Sequence, residues 1–496
     1  MKIFHFSDIH ATRGNKFRKD NLEFIINEIN RGDFDLAIFT GDATNEGQRH
    51  EYKIAANMLE KIECPLVSIP GNHDARSGGI KLFEKYIGPQ NGVLECGDAV
   101  VIYVNSSVGD SNDGRIGRGK FNILKKALNK YSEKPIKIVA IHHHILPIPM
   151  SGRERNVLAN AGDVFDLIQR ADVDLVVSGH RHYPNVYDVE GTVYINAGTA
   201  SSAKTRYGDV NSYCIIDIDE NKKDVTIKRL NGEDTRRKYD RKIKCAFSDF
   251  GDREFRAIHL SNTYFSQSQS FLSQHYEEAV KSIKTFDPDL LIHCGGIVKE
   301  GTPGDYKFAM HEINKLEFPI IFTPAARDIN YLGYHLFNQN FGDLDQQYTN
   351  DDILIQGIST PQYDSSIGVV GETERNDLLK GLTNAPHKFR SVFLHHNIIP
   401  IPHSREKGLL EDAGDLLREL VDEEIDLVLT GTSYHPYATR VGKTVIVNAN
   451  SVSSAYQRSR FGNSFNLIDI YEKAIVVSEI NSFWGTRKLL GIWERR

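Results

Sequence analysis

The stretch IHHHILPIPMSGRERNVLANAGD at 141–163 returns as LHHNIIPIPHSREKGLLEDAGD at 394–415. A chain that writes one segment twice must find one architecture that suits both halves, which makes the repeat the strongest constraint on its fold. The flanks repeat too. DLVVSGHRHYP (174–184) faces DLVLTGTSYHP (426–436), TVYINAGTASSA (192–203) faces TVIVNANSVSSA (444–455), and NSYCIIDI (211–218) faces NSFNLIDI (463–470). Nearer the N-terminus FHFSDIH aligns with IHLSNTY and IFTGDAT with LIHCGGIV. The offset is 254 from Asp8 to Asn262 and from Asp42 to Gly296, 253 from His142 to His395, and 252 from His180 to Thr432. So small a drift points to tandem duplication, with domains at 1–240 and 250–496.

Each copy carries the same order of elements. KIFHF, LAIFT, LVSIP, VVIYV, KIVAI, DLVVS and TVYIN read as strands, each stopped by Gly, Asn, Asp or His. In 18–31 Leu22, Ile25, Ile26 and Ile29 recur at i, i+3, i+4 and i+7, one face of a helix. Alternating strands and helices predict an α/β fold with a largely buried sheet and helices on its faces. The boundary falls near 235–254, where TRRKYDRKIK (235–244) is too polar for core and FRAIHL starts a new strand. The basic run reads as a solvated linker or hairpin tip in preference to a nucleic-acid patch.

Composition narrows the setting. The start, MKIFHFSDIH, lacks the pattern of a signal peptide, and no 18-residue apolar run is present to span a membrane. The five cysteines (Cys64, Cys96, Cys214, Cys245 and Cys294) have no CxxC spacing and read as reduced thiols. These features predict a cytoplasmic protein. A net charge of −6 provides no global attraction to nucleic acid or anionic lipid.

In the first copy the strand ends carry a defined polar set: Asp8 and His10 (SDIH), Asp42 (TGD), Asn72, His73 and Asp74 (GNHD), His142 (first of HHH), and His180 and His182 (GHRH). Ligands of open α/β sheets bind in the crevice beyond the strands' carboxyl ends, so groups far apart in sequence can converge there. Imidazole, carboxylate and amide donors without thiolate suit Mn, Fe or Zn. On an extended segment, residues i and i+2 of D-x-H or H-x-H point to the same side, letting one loop offer two ligands.

This set resembles the calcineurin-like metallophosphoesterase family, whose five motifs D-x-H, G-D, G-N-H-D, H and G-H-x-H appear in order across residues 1 to about 235. The resemblance implies two tandem αββα sandwich domains, the first with a dinuclear centre of two divalent metal ions. It implies that Asp8, His10 and His182 hold one ion, that Asn72, His142 and His180 hold the other, and that Asp42 bridges them. Attack on phosphorus would run in line while both ions neutralise developing charge. His73 is similar to the family histidine that steadies the transition state or protonates the leaving oxygen. Asp74 is expected to orient its loop. Within HHH, His142 is favoured over His143 as the ligand, and His144 is read as structural or substrate-side. Ser201, Ser202, Lys204 and Arg206 are placed at the border of the site.

HHHILPIP, NVLANAGDVFDLI and GRGKFNILKKAL are similar to the class III cyclic-nucleotide phosphodiesterase branch. The expected function is therefore hydrolysis of a phosphodiester, a small molecule or nucleotide such as a cyclic nucleotide. A nuclease acting on DNA or RNA and a phosphomonoesterase or protein phosphatase are the alternatives; the acidic charge disfavours a nucleic-acid partner.

The second copy reads differently. Asn262 and Tyr264 stand opposite Asp8 and His10, Gly296 opposite Asp42, Ala325, Ala326, Arg327 and Asp328 opposite GNHD, and Gly431, Thr432, Ser433 and Tyr434 opposite GHRH. His395 alone keeps a strong ligand type. One imidazole cannot hold two cations, so this half is expected to be catalytically dead, serving as a scaffold or keeping a pocket in which Arg327 and His395 anchor a phosphate.

Overall fold

In a computed structural model, the structure describes residues 1–495 apart from 154–156, 242–248, 364, 405–407 and 457. Cys245, the end of the basic run and part of the polar stretch after HHHILPIP lie outside the described residues. The chain divides into two compact units, Met1–Ile243 and Lys244–Arg496.

The N-terminal unit strings together β1 (Lys2–Phe6), α1 (Lys19–Arg31), β2 (Leu36–Phe39), α2 (Arg49–Leu59), β3 (Leu66–Ser68), α3 (Ile80–Tyr86), β4 (Asn91–Cys96), β5 (Ala99–Val104), α4 (Arg118–Lys130), β6 (Ile136–Ala140), α5 (Ala161–Arg170), β7 (Leu175–Ser178), β8 (Asn185–Val189), β9 (Thr192–Asn196), β10 (Ser212–Ile218), β11 (Lys222–Arg229) and β12 (Thr235–Asp240). One sheet runs β12-β11-β10-β1-β2-β3, parallel across β1, β2 and β3 and antiparallel elsewhere. The parallel pairs need crossovers, and α1 and α2 provide them. Strands β8-β9-β7-β6-β5-β4 pair in a second sheet, parallel except at its outer pairs β8-β9 and β4-β5.

Period-two alternation sorts the strand residues between two cores. Ile3, Leu36 and Ile38 from the first sheet meet Val101, Ile138, Val177 and Ile195 from the second in a buried layer. Their neighbours Phe4, Phe6, Ala37 and Phe39 face the other way, where Leu22, Ile25, Ile26 and Ile29 of α1 cover them. On the second sheet α5 buries Val164, Phe165 and Ile168, with Phe165 5.8 Å from the ring of Tyr194. The layers are helix, sheet, sheet, helix.

Residues 235–240 are not a linker. They form β12, the edge of the first sheet, with exposure alternating along the strand and Arg236 fixed to Asp224 at 2.8 Å. Basic side chains suit such an edge, because an edge strand must resist pairing with other chains.

The C-terminal unit repeats both strand orders. Ile320–Thr323, Leu290–Cys294, Arg253–Leu260, Ser464–Tyr471, Ala474–Asn481 and Arg487–Glu494 form one sheet in that order. Gln347–Thr349, Ile353–Gly357, Phe389–Phe393, Leu427–Thr430, Thr444–Asn448 and Tyr437–Val441 form the other. Phe255, Leu290, Phe389, Val447 and Val477 share the layer between them. Among the described residues no helix is long and apolar enough to cross a membrane.

Candidate metal centre

In the N-terminal unit the polar residues of the motifs follow the carboxyl ends of five strands: Asp8 and His10 after β1, Asp42 after β2, Asn72 and His73 after β3, His142 after β6, and His180 and His182 after β7. The loops that carry them are not extended. Asp8 (φ 57°), His10 (φ 51°), Asp42 (φ 58°), His180 (φ 77°) and His182 (φ 58°) all sit in the left-handed region. The expectation that D-x-H and H-x-H use strand alternation is therefore corrected. Alternate left-handed residues curl each loop, and both side chains still reach one crevice. Such conformations cost on the order of 1–3 kcal/mol each and persist only where surroundings dictate them. Here Asp8 N–H donates to the Gly41 carbonyl at 2.9 Å, His10 N–H to that of Asp42 at 2.9 Å, and Thr199 Oγ1 to that of Asp8 at 2.7 Å. Close approach also demands glycine. A Cβ on Gly71 would stand 2.1 Å from Asp42 Oδ1, and one on Gly179 would stand 2.6 Å from Asp8 Oδ2.

The side chains gather in two groups. In the first, His10 Nε2 lies 2.9 Å from His182 Nε2, and Asp8 Oδ1 lies 3.2 Å from His182 Nε2. In the second, Asn72 Oδ1 lies 3.1 Å from His142 Nε2 and 2.9 Å from His180 Nδ1. Asp42 Oδ2 stands between them, 3.6 Å from His10 Nε2 and 3.5 Å from His142 Nε2. Among the described residues, the clusters of His, Cys, Asp or Glu able to hold an ion are Asp8, His10 and His182; His10, Asp42 and His73; and Asp8, Asp42 and His142.

The donor set fits a pair of divalent cations. The Nδ1 atoms of His142 and His182 are each spent on a backbone carbonyl, of Thr40 at 2.6 Å and Lys204 at 2.5 Å, which directs Nε2 into the crevice. Buried Asp8 Oδ1 lacks a hydrogen-bond donor among the described residues. Oxygen and nitrogen lone pairs crowded this closely repel one another unless a proton or a cation lies among them.

Electrostatics tell the same story. Burial alone would raise the Asp8 carboxyl, yet His182 and His10 hold it well below the usual range. Burial is likewise overcome at Asp42, whose carboxyl is depressed by His142 and His73. At His142 burial opposes protonation, but Asp42 and Asp8 push the imidazole up to about 9. His10 is lowered to about 4 by burial, and burial also holds His180 well below the ordinary range.

Neighbouring residues fall into place around this centre. Asp74 is fully buried and accepts from the backbone amides of Ala43 (3.0 Å), Thr44 (2.9 Å) and Gly71 (2.9 Å), tying the G-D loop to the G-N-H-D loop. His143 packs its ring 4.5 Å from that of His180 but spends both nitrogens elsewhere, Nδ1 on Ser106 Oγ at 2.8 Å and Nε2 on the Asn112 carbonyl at 3.2 Å. Ser201 and Ser202 are buried, Ser201 Oγ donating to the Ile9 carbonyl at 2.9 Å, and so serve the backbone rather than border a substrate. Lys204 reaches the centre through its carbonyl, and burial first, then the positive charges of Arg206, Arg76 and Arg181, lowers its ammonium pKa.

Sequence reasoning did not find Arg76 or Asn112. His73 Nδ1 donates to the Asn45 carbonyl at 2.7 Å, and Arg76 Nη2 lies 3.3 Å from His73 Nε2 and 3.2 Å from Asn112 Oδ1. Asn112 Oδ1 also accepts from Asn72 Nδ2 at 3.1 Å. Neither residue belongs to a motif; the only signal for Arg76 is its place three residues after His73.

The corresponding positions of the C-terminal unit are arranged otherwise. Tyr264 and Tyr434, opposite His10 and His182, hydrogen-bond hydroxyl to hydroxyl at 2.7 Å. Asn262 turns its Nδ2 to the Gly431 carbonyl at 2.5 Å, where Asp8 Oδ2 instead accepts the His180 amide at 3.0 Å. The loop carboxylate is kept: Asp328 accepts from Gly296, Val298 and Ala325 amides at 2.9, 2.9 and 2.7 Å.

Comparison with known proteins adds an independent line. The calcineurin-like phosphoesterase family matches residues 1–184. A Xenorhabdus bovienii protein named "Probable cyclic nucleotide phosphodiesterase" is 30% identical over 202 residues, 38% of this chain and 81% of that protein. A "3',5'-cyclic-nucleotide phosphodiesterase" of Nostoc sp. is 28% identical over 153 residues, 31% of this chain and 57% of that protein. Among solved structures, a dimetal phosphatase from Danio rerio is 9% identical with a TM-score of 0.40, covering 48% of this chain and 100% of that one.

Proposed function

Because the chain belongs to the calcineurin-like phosphoesterase family, we propose that its N-terminal unit hydrolyses a small phosphodiester, of which cyclic nucleotides are the first class to test. The observation that carries this reading is the pairing of two ligand groups about Asp42 Oδ2. In it Asp8, His10 and His182 would hold one divalent ion, Asn72, His142 and His180 the other, and Asp42 both. Manganese, iron and zinc all suit these nitrogen and oxygen donors. When bound, the ions supply an acidified water and charge neutralisation at phosphorus.

The chain's own residues do the rest. His73 is held by the Asn45 carbonyl at Nδ1, so its proton exchange runs through Nε2, the atom beside Arg76. In this reading Arg76 leaves Nε2 for the phosphate, and His73, in its doubly protonated form, gives the Nε2 proton to the leaving oxygen. Arg76, steadied by Asn112 and paired to Glu46 at 3.1 Å, is placed to shift its guanidinium onto a non-bridging phosphate oxygen. Lys204 and Arg206 extend the positive rim. A diester carries one negative charge, and a basic rim around a crowded ligand cluster draws it in.

The C-terminal unit is, in the same reading, a duplicated copy of the fold that has lost the ions. Its strand orders, its left-handed residues at Asn262 (φ 51°) and Tyr264 (φ 50°) and its Asp328 brace support common descent, and its tyrosine pair supports loss of the metal ligands. Domains 1–240 and 250–496 are the proposed limits.

Purified protein with Mn(II), offered bis-p-nitrophenyl phosphate, p-nitrophenyl phosphate, cAMP and single-stranded DNA, tests the proposal. Turnover of the diesters without DNA cleavage is expected. Preferred cleavage of the monoester or of DNA would replace the reading with a phosphomonoesterase or a nuclease.

A further inference from the structure

The C-terminal unit holds a cavity of about 640 Å³ at the strand ends where metal ligands are missing, lined among others by Tyr264, Arg327, His395, His396, Tyr434 and Arg458. That volume is in the range of small-molecule sites, roughly 300–1,000 Å³. Its charge is one-sided: among the described lining residues there are two arginines and no carboxylate. Two buried or half-buried arginines of this unit are neutralised, Arg256 by Asp469 at 2.6 Å and Arg375 by Asp412 at 3.1 Å. Arg327 and Arg458 have no carboxylate partner among the described residues. Among the described residues Arg327 Nη1 hydrogen-bonds only the Lys299 carbonyl at 3.4 Å, and Arg458 Nη1 only that of His403 at 3.3 Å.

Each of these guanidinium groups instead stands over one ring of the tyrosine pair, Arg327 at 5.8 Å from the Tyr264 centroid and Arg458 at 6.0 Å from that of Tyr434. The Tyr264–Tyr434 hydrogen bond closes the position two histidines would need to hold an ion, and it fixes both rings as supports. Tyr264 keeps a left-handed backbone at φ 50°, a costly conformation for a bulky residue. Beside the pair, buried His395 donates its Nδ1 proton to the Cys294 carbonyl at 2.7 Å, which makes Nε2 an acceptor. A neutral acceptor beside two unpaired arginines suits a ligand that is anionic at one end and carries a hydroxyl or amino donor at the other.

We propose that this cavity binds a phosphate monoester of nucleotide size, a nucleoside monophosphate, with Arg327 and Arg458 gripping the phosphate and His395 Nε2 accepting from the body of the ligand. Arginine matches phosphate oxygens with paired donors and needs no metal to do so. The site does not depend on which diester the N-terminal unit hydrolyses.

Calorimetric titration of full-length Asp42→Asn protein, stripped of metal by a chelator, tests it with three probes: AMP, inorganic phosphate and adenosine. AMP is expected to bind once per chain, phosphate more weakly and adenosine least. Arg327→Gln with Arg458→Gln should weaken AMP roughly 100-fold, each arginine being worth about tenfold. In the otherwise wild-type chain the same pair of changes should leave diester turnover unaltered. Both tryptophans, Trp484 and Trp493, lie in the C-terminal unit, so an unchanged fluorescence melting curve shows that this unit stays folded. No AMP binding at millimolar concentration, or binding that survives the double substitution, overturns the proposal. Phosphate binding as tightly as AMP overturns the nucleotide body while keeping the phosphate grip. Loss of diesterase activity in the wild type would count against the N-terminal reading alone.

Discussion

Asp42 Oδ2 lies within 3.6 Å of a histidine from each ligand group, so one atom carries the link between them. Asp42→Asn is therefore expected to lower diester turnover by at least about 10²-fold, since it removes charge from the point where the ions would meet. A metal assay on the same variant should show fewer ions per chain. His73 makes the contrasting case: its ring stands 4.5 Å from that of His10, but its Nδ1 is spent on the Asn45 carbonyl and its Nε2 faces Arg76. His73→Gln should cut kcat by about 10²- to 10⁴-fold while leaving metal content intact, and a parallel fall in metal would assign it a holding role instead. Most of this centre was legible in the sequence, because each motif ends a strand and strand ends converge. Two things were not. The left-handed φ angles of Asp8 and His10 leave no trace in a D-x-H spelling. Arg76 and Asn112 meet across a gap of 36 residues, by loop geometry that no spacing encodes.

Elements show which local patterns can be trusted. The Leu22, Ile25, Ile26 and Ile29 stripe became the buried face of α1, since periodicity reports directly on which side faces a core. The segment 235–240 misled because its polarity is that of an edge strand, and composition alone does not separate an edge from a linker. Within the C-terminal strands, His259 and His293 are fully buried and each is depressed to about 3, burial being the main cause in both. Unfolded histidine titrates near 6.5, so the stability these residues contribute is complete above that pH and is lost as pH falls towards 3. At pH 5 the loss is about 2 kcal/mol for each. The denaturant midpoint read from tryptophan fluorescence should drop between pH 7 and pH 5, and His259→Leu should flatten that drop. A midpoint independent of pH in this window would contradict the burial argument.

At the scale of the molecule, each unit has the same two strand orders, and in each a buried aspartate, Asp74 or Asp328, braces the same pair of loops. At the strand ends the side chains differ: imidazoles and carboxylates in one unit are replaced by tyrosines, an amide and a glycine at the aligned positions of the other. In the proposed reading, one chain holds two copies of a fold and a single dinuclear centre. Metal content after Mn(II) reconstitution and removal of loosely held ions tests it most directly, measured on the wild type and on Asp42→Asn. The prediction is two ions per chain in the wild type and fewer than two in the variant. Four ions per chain, or two that survive the substitution, would contradict it.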